Sequence, residues 1–361
     1  MIDGVREILV ITPALDGADG ISEVSRQFVA ALGALDQHIR IDVWALDGAA
    51  PPERSLGRAT FRSAAGSRTR LSAWSLARAR SASDEVLVVV LHVHLAPLAL
   101  PLELRGARLA FFFHGIEVWR RLRGRERRAL DRASLMMANS QWTVARFKET
   151  NPEFTAADIR VCHLSVSPAT VADPPPYEGY ALIVGRLAAD ERYKGHDALI
   201  EVWPQVRRSV SGAELMIVGE GDDRPRLEAL VASIGVGEAV RFAGRVSNSA
   251  LEGLYRGAAF FAMPSVGEGF GLAYLEAMRA GKACLAGPGA AAEIVEDGVT
   301  GFIVDPGHRD RLAAALIQLF KEPETRAAMG RAGAARVQAE FETGHFATRV
   351  LGELAKALVH A

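Results

Sequence analysis

The chain is poor in the residues that build disulfide or metal frameworks. Only Cys162 and Cys284 are cysteines among 361 residues, and both sit in apolar runs. Neither has a second cysteine at metal or redox spacing, so a disulfide scaffold, a zinc ribbon and a Cys-x-x-Cys site are excluded. Two buried free thiols are expected, as suits a reducing cytoplasm. Long apolar runs are missing too. The longest, Val86 to Leu102, is broken by His92, His94, Pro97 and Pro101, which makes it a poor bilayer span. Met1-Ile-Asp-Gly-Val-Arg-Glu lacks the basic-then-apolar order of a signal peptide. Any membrane contact is therefore expected to be peripheral. There is no Asp-x-Asp, no short-period repeat and no low-complexity tract. A formal net charge of -1 names no partner, and 49% apolar with 24% charged residues is ordinary for a soluble enzyme.

Lysine is absent from one region. Arg54 to Arg128 holds fifteen arginines, no lysine and five acids, an excess of ten positive charges. Against the chain's net -1, the remainder carries an excess of eleven negative ones. Two readings stand side by side: solvated helix faces in a protein that prefers Arg to Lys, or a basic surface for an anionic acceptor or membrane. The run Arg120-Arg-Leu-Arg-Gly-Arg-Glu-Arg-Arg128 has no interleaved aromatic residues, which argues against nucleic acid.

What is present is an alternation of short apolar runs with longer amphipathic ones. The chain exceeds one ordinary core, so two domains are expected. Glu7–Thr12, Ile39–Leu46, Val86–Leu91, Leu109–Phe113, Leu135–Ala138 and Ile159–Leu164 read as strands, with Gly20–Leu35 helical after the first. Asp173-Pro-Pro-Pro-Tyr-Glu-Gly179 then reads as a stiff linker. A second series follows: Tyr180–Val184, Glu214–Val218, Val240–Phe242, Ala259–Met263, Ala283–Ala286 and Phe302–Val304 as strands, Asp222–Ile234 and Leu272–Gly281 as helices. Strands alternating with helices give βαβ units and parallel sheets. The expectation is α/β: residues 1–172 and 173–344 as two doubly wound Rossmann-like domains facing a central cleft. Residues 345–361 form an amphipathic helix crossing back to the first domain.

Gly219-Glu-Gly221 after a strand invites a dinucleotide reading, but the third glycine position holds Arg224, so a nicotinamide dehydrogenase is not expected. Gly185-Arg186 ends the first strand of the second series, and Lys194-Gly195 opens its helix. Strand C-termini face the ligand crevice, so this pair suits a diphosphate. A surface ion pair with Asp190 or Glu191 is the other reading. Ser265-Val-Gly-Glu-Gly-Phe-Gly271 is a glycine loop ahead of a helix, which presents backbone N–H groups to an anion. A carboxylate beside a phosphate is costly unless it takes hydroxyls or a cation, which argues against a purely structural Glu268. Glu276, one turn into the helix, reads as a ribose ligand or a solvated face. His92-Val-His94 shares one strand face but lacks further ligands, so cleft lining or core is expected and no metal.

These stretches together resemble the retaining glycosyltransferase family 4 of GT-B fold. The match is carried by Gly185-Arg186…Lys194-Gly195, Val218-Gly-Glu-Gly221, Phe242-Ala-Gly-Arg-Val246, Ser265–Met278 with its Glu-x7-Glu, and Glu293-Ile-Val-Glu-Asp-Gly-Val-Thr-Gly-Phe302. The resemblance implies that Arg186 and Lys194 neutralise the leaving diphosphate and that Glu268 holds sugar hydroxyls. It implies that Gly269, Phe270, Gly271 and Leu272 meet sugar and phosphate through their backbone. Glu276 would bind the ribose and Val246 the base. In the first domain, His114-Gly115 matches a family His-Gly near the donor sugar, unless His114 only caps its own loop. Gly20 matches one of two paired glycines at the first helix; Asp19 replaces the other and suits a helix N-cap. Asn139-Ser140 reads as cleft lining or a helix cap.

The function implied is retaining, metal-independent transfer of a hexose from GDP-mannose or a UDP-hexose to a hydroxyl of a glycan, expected to be lipid-linked, in surface polysaccharide or glycolipid synthesis. No cofactor and no nucleic acid are expected. The expected location is the cytoplasm, at the inner face of the membrane. A GT-B-type sugar-nucleotide epimerase and a silent nucleotide-sugar-binding protein are the alternatives.

Overall fold

The structure, a computed structural model, describes residues 4–17, 19–50, 56–175 and 177–359, with side chains as far as Ala357. Residues 1–3 of the leading segment, Arg54 of the basic stretch, Pro176 of the proline-rich stretch and His360 lie outside the described residues. Two units divide the chain: Met1–Leu164 with Thr343–Ala361, and Ser165–Glu342.

The first unit holds seven parallel strands in the order β3-β2-β1-β4-β5-β6-β7. They are β1 (Glu7–Thr12), β2 (Arg40–Ala45), β3 (Thr60–Ser63), β4 (Val86–Val90), β5 (Arg108–Phe113), β6 (Leu135–Ala138) and β7 (Ile159–Val161). The central strands are buried on both faces and read as unbroken apolar runs, as a covered parallel sheet requires. β3 escaped the sequence reading because Thr-Phe-Arg-Ser has no apolar run; it is an exposed edge strand. The basic stretch breaks into α2 (Arg68–Ala79), following α1 (Gly20–Leu32), and α3 (Gly124–Leu130), followed by α4 (Gln141–Thr150).

The second unit holds six parallel strands ordered β10-β9-β8-β11-β12-β13. These are β8 (Ala181–Val184), β9 (Leu215–Val218), β10 (Val240–Gly244), β11 (Phe260–Met263), β12 (Cys284–Ala286) and β13 (Gly301–Ile303). Its helices include α5 (His196–Ser209), α6 (Arg224–Ile234), α7 (Asn248–Gly257), α8 (Leu272–Arg279), α9 (Arg309–Lys321) and α10 (Pro323–Arg336). Successive strand residues face opposite sides of the sheet. Phe260 accordingly packs edge-on to Phe320 of α9 at 4.7 Å, while Phe261 meets Tyr274 of α8 at 5.5 Å.

The last helix, α11 (Thr343–Val359), belongs to the first unit. Phe346, Val350 and Leu354 recur every four residues, form one stripe and are fully buried. Phe346 stands 6.3 Å from Phe28 of α1 and 6.0 Å from Phe112 of β5, both edge-on.

The proline-rich stretch is not the crossing between the units, which lies at Leu164–Ser165 and returns at Glu342–Thr343. It lies along α7 instead. The Asp173 amide donates to Ser249 O at 3.0 Å and that of Gly179 to Gly257 O at 2.9 Å. The helix offers Gly253 and Gly257, one turn apart, as a flat track. A Cβ on Gly253 would collide with the Asp173 carbonyl, and one on Gly257 would come within 2.6 Å of Pro175. Among the described residues no helix is long and apolar enough to cross a membrane.

Candidate functional site

In the second unit the winding reverses between β8 and β11, so the loops leaving these neighbouring strands diverge and open a crevice at their C-terminal ends. The β8 loop carries Arg186, Glu191, Tyr193 and Lys194. The β11 loop carries Glu268. The two meet: Lys194 Nζ donates to Glu268 Oε1 at 2.9 Å, and both side chains are 14% exposed. Glu191 completes the group. One of its oxygens pairs with the Arg186 guanidinium and the other stands 3.6 Å from Lys194 Nζ. Of the two acids offered as ion-pair partners, Glu191 turns inward and takes Arg186.

The β8 loop is tied down from outside the crevice. The Ala189 amide donates to Asp222 Oδ1 at 2.9 Å. Arg192 reaches Asp223 at 2.8 Å, and Asp223 is also gripped by Arg226. That grip by Arg226, with Arg192 second, holds the Asp223 carboxyl well below the usual range despite its desolvation. The two site loops also touch directly. Val266 donates to Tyr193 O at 3.0 Å, and a Cβ on Gly267 would meet the Tyr193 ring at 2.7 Å. Lys194 Nζ lies 5.6 Å from the centre of that ring. Burial, and then the charges of Glu268 and Glu191, push the Tyr193 phenol up, so it stays neutral and donates only its O–H.

Past Glu268 the chain turns at Gly271, left-handed with φ 105°, and enters α8 without a side-chain cap. Such an uncapped N-terminus directs its amides at an incoming acceptor. Phe270 is 2% exposed and packs against Phe341 at 6.2 Å. Its side chain anchors the loop, so Phe270 itself has only its backbone to offer a ligand. Glu276 accepts a hydrogen bond from Tyr255 Oη at 2.7 Å, a partner the sequence did not reveal. Val246 is half-buried between β10 and the Ser247 cap of α7, and β10 lies two strands from β8. Gly219 and Gly221 serve close packing: a Cβ on either would strike the carbonyl of Gly185 or Leu187. Arg224, where a dinucleotide fold needs glycine, pairs with Glu220 and Glu228.

In the first unit the reversal falls between β1 and β4. Gly20 is the first residue of α1, and the Asp19 carboxylate caps that helix, accepting from the Ile21 and Ser22 amides at 3.0 Å and from Ser22 Oγ at 2.8 Å. Burial works against the Asp19 anion, but these hydrogen bonds prevail and hold its carboxyl low. His114, after β5, is buried. Its Nε2 lies 2.7 Å from Leu91 O, and desolvation pushes its pKa down to about 4. The neutral ring therefore donates Nε2–H to that carbonyl. Asn139 Nδ2 donates to His114 O at 2.5 Å, while Ser140 caps α4 by accepting from the Thr143 amide at 3.0 Å. His92 Nδ1 accepts from the His94 amide at 3.3 Å, and burial brings His92 to about 4 as well. Among the described residues no three His, Cys, Asp or Glu side chains are grouped to hold a metal ion. Cys162 and Cys284 are buried free thiols, and burial pushes both pKa values up.

Residues 178–322 match the family model described as Glycosyl transferases group 1. The chain is 33% identical over 265 residues to a GDP-mannose-dependent alpha-(1-6)-phosphatidylinositol monomannoside mannosyltransferase of Mycolicibacterium smegmatis, covering 66% of this chain and 68% of that one. It is 32% identical over 248 residues to the GDP-mannose-dependent monoacylated alpha-(1-6)-phosphatidylinositol monomannoside mannosyltransferase of Corynebacterium glutamicum. That match takes in 63% of this chain and spans 65% of the relative's length. Among solved structures, the sucrose-phosphate synthase of Thermosynechococcus elongatus superposes with a TM-score of 0.76 at 21% identity, over 98% of this chain and 99% of that one. At that identity the likeness speaks for the fold, which is GT-B.

Proposed function

Since the chain belongs to the glycosyl transferases group 1, we propose that it is a retaining, metal-independent hexosyltransferase using a nucleoside-diphosphate sugar, with GDP-mannose as the first donor to test. The observation that carries this reading is the convergence of Lys194 and Glu268 at the switch point of the second unit, beside the uncapped N-terminus of α8. Two relatives named as GDP-mannose-dependent support the choice of donor.

In the proposed mechanism Arg186 and Lys194 neutralise the departing diphosphate, the electrostatic work a divalent ion would otherwise do. The α8 amides from Gly271 onward hold phosphate or sugar oxygens. Glu268 exchanges Lys194 for sugar hydroxyls, and Glu276 takes the ribose. An acceptor hydroxyl attacks the anomeric carbon from the face the diphosphate leaves, and the leaving phosphate oxygen accepts its proton. The C–O bond to the acceptor thus forms as the C–O bond to phosphate breaks. No cofactor takes part. The acceptor proposed is a glycan hydroxyl on a lipid. The exposed Arg123, Arg125, Arg127 and Arg128 on and beside α3 suit peripheral contact with an anionic inner membrane face.

The test is turnover of GDP-mannose and of UDP-hexoses, with and without an acceptor, with NMR of the product anomer. Transfer with retained configuration supports the proposal. An inverted product removes the retaining mechanism, acceptor-independent release of an epimerised sugar favours an epimerase, and binding without turnover makes the chain a silent binder.

A further inference from the structure

The proposed mechanism leaves Glu191 unused, yet it is the most enclosed member of the switch-point group. Its side chain is 7% exposed, against 73% for Arg186, which it holds. Its backbone breaks helical geometry at φ -113°, ψ 21°, inside the turn Ala189–Lys194, and this turns the carboxylate inward. One oxygen pairs with Arg186. The other, Oε2, is buried without a hydrogen bond, 3.6 Å from a Lys194 ammonium that donates to Glu268 at 2.9 Å. A buried carboxylate oxygen left unsatisfied is costly. The group thus has one fixed anion, Glu191, and one exchangeable anion, Glu268, sharing a single lysine.

We propose that Glu191 is a positioning residue for the donor diphosphate: it holds the exposed Arg186 guanidinium over the crevice and receives Lys194 when Glu268 releases it. This rests on the donor-site reading above. Arg186 has several rotatable bonds and is mostly in solvent. Without an anchor its guanidinium samples many rotamers, and a ligand must bear the cost of ordering it. Lys194 is likewise poised between two carboxylates, so departure from Glu268 moves it toward Glu191 and keeps it in the crevice. A β-phosphate arriving there meets two cations already in place. The consequence is specific to phosphate number. Glu191 acts on the group bound by Arg186 and Lys194, not on the base or the ribose.

The experiment measures calorimetric affinities of the full chain for GDP, UDP and ADP and for the matching monophosphates. The nucleotide that the wild type binds best is carried forward to Glu191→Gln. The expected result is about a tenfold loss for the diphosphate, about 1.4 kcal/mol, with the monophosphate changed less than twofold. In an Arg186→Ala background the same substitution should cost clearly less than in the wild type, because one of the two cations through which it acts is gone. Equal losses for mono- and diphosphate, an unchanged ratio, or tighter diphosphate binding overturn the proposal. Should Glu191→Gln fail to fold, Glu191→Asp is read by the same ratio. A wild type that binds no nucleoside diphosphate sinks the donor-site reading instead, which keeps the two failures apart.

Discussion

At the scale of single residues, the site is a balance of charges in a half-enclosed place. Lys194 faces Glu268 at 2.9 Å and Glu191 at 3.6 Å, so replacing it removes a cation and leaves two carboxylates facing each other. Lys194→Ala is expected to cost about 2–4 kcal/mol of transition-state stabilisation, the scale of a lost oxyanion donor, read as kcat/KM on a sample whose circular dichroism is unchanged. Near-normal kcat/KM removes Lys194 from the chemistry. His114 makes a different prediction. Its folded pKa, about 4, lies below the ordinary 6.5, so protons bind the unfolded chain more readily. The penalty is absent above about pH 6.5 and grows as pH falls toward 4, where it reaches on the order of 3 kcal/mol. His92 and His196, also lowered to about 4 by burial, add to the same slope. Urea unfolding between pH 7 and 4 should show stability falling on acidification, and less steeply in His114→Gln. An equal slope in both would mean that His114 is not buried as described. The strand-end loops that carry Arg186, Lys194 and Glu268 were legible in the sequence because glycines mark them. Glu191 was not. Asp190 and Glu191 are chemically alike on paper, and only the kink at Glu191 decides which one turns inward.

At the scale of elements, the sequence disclosed most buried strands, since each carries an apolar run matched to a covered parallel sheet. It missed β3, whose edge position needs no such run. It also misjudged residues 173–179, because proline stiffness looks the same whether the chain bridges two domains or straps one helix. The glycines of α7 were the unread signal. Gly253→Ala should drive a Cβ into the Asp173 carbonyl and destabilise the second unit by about 1–3 kcal/mol, as overpacking does. A thermal scan checks this, and an unchanged melting temperature would show that the strap lifts freely. Phe346→Ala tests the opposite case. It empties the space between Phe28 and Phe112 and should cost the first unit about 3–5 kcal/mol without touching nucleotide affinity in the second.

At the scale of the whole molecule, the two units are separate bodies of parallel sheet with distinct cores, so their stabilities need not move together. Ligand binding should reveal this. A nucleoside diphosphate at 100 times its Kd adds about 2.7 kcal/mol to whatever holds the site. Scanning calorimetry is expected to show a transition of the second unit moving upward with nucleotide. Equal movement of every transition would mean that the units unfold as one. The plan of two parallel-sheet domains was legible as a pattern of alternation. The division at Leu164–Ser165 was not, because nothing in residue chemistry marks that junction.

The return of α11 to the first unit also sets a schedule. A ribosome makes β1 through β7 first, then all of Ser165–Glu342, and only then the helix carrying Phe346, Val350 and Leu354. The earlier-made body must wait through that interval with Phe28 and Phe112 uncovered, while the later-made body already has its whole sequence. The nascent first unit is therefore the stage at which a chaperone would be needed, although it is the part of the protein synthesised first.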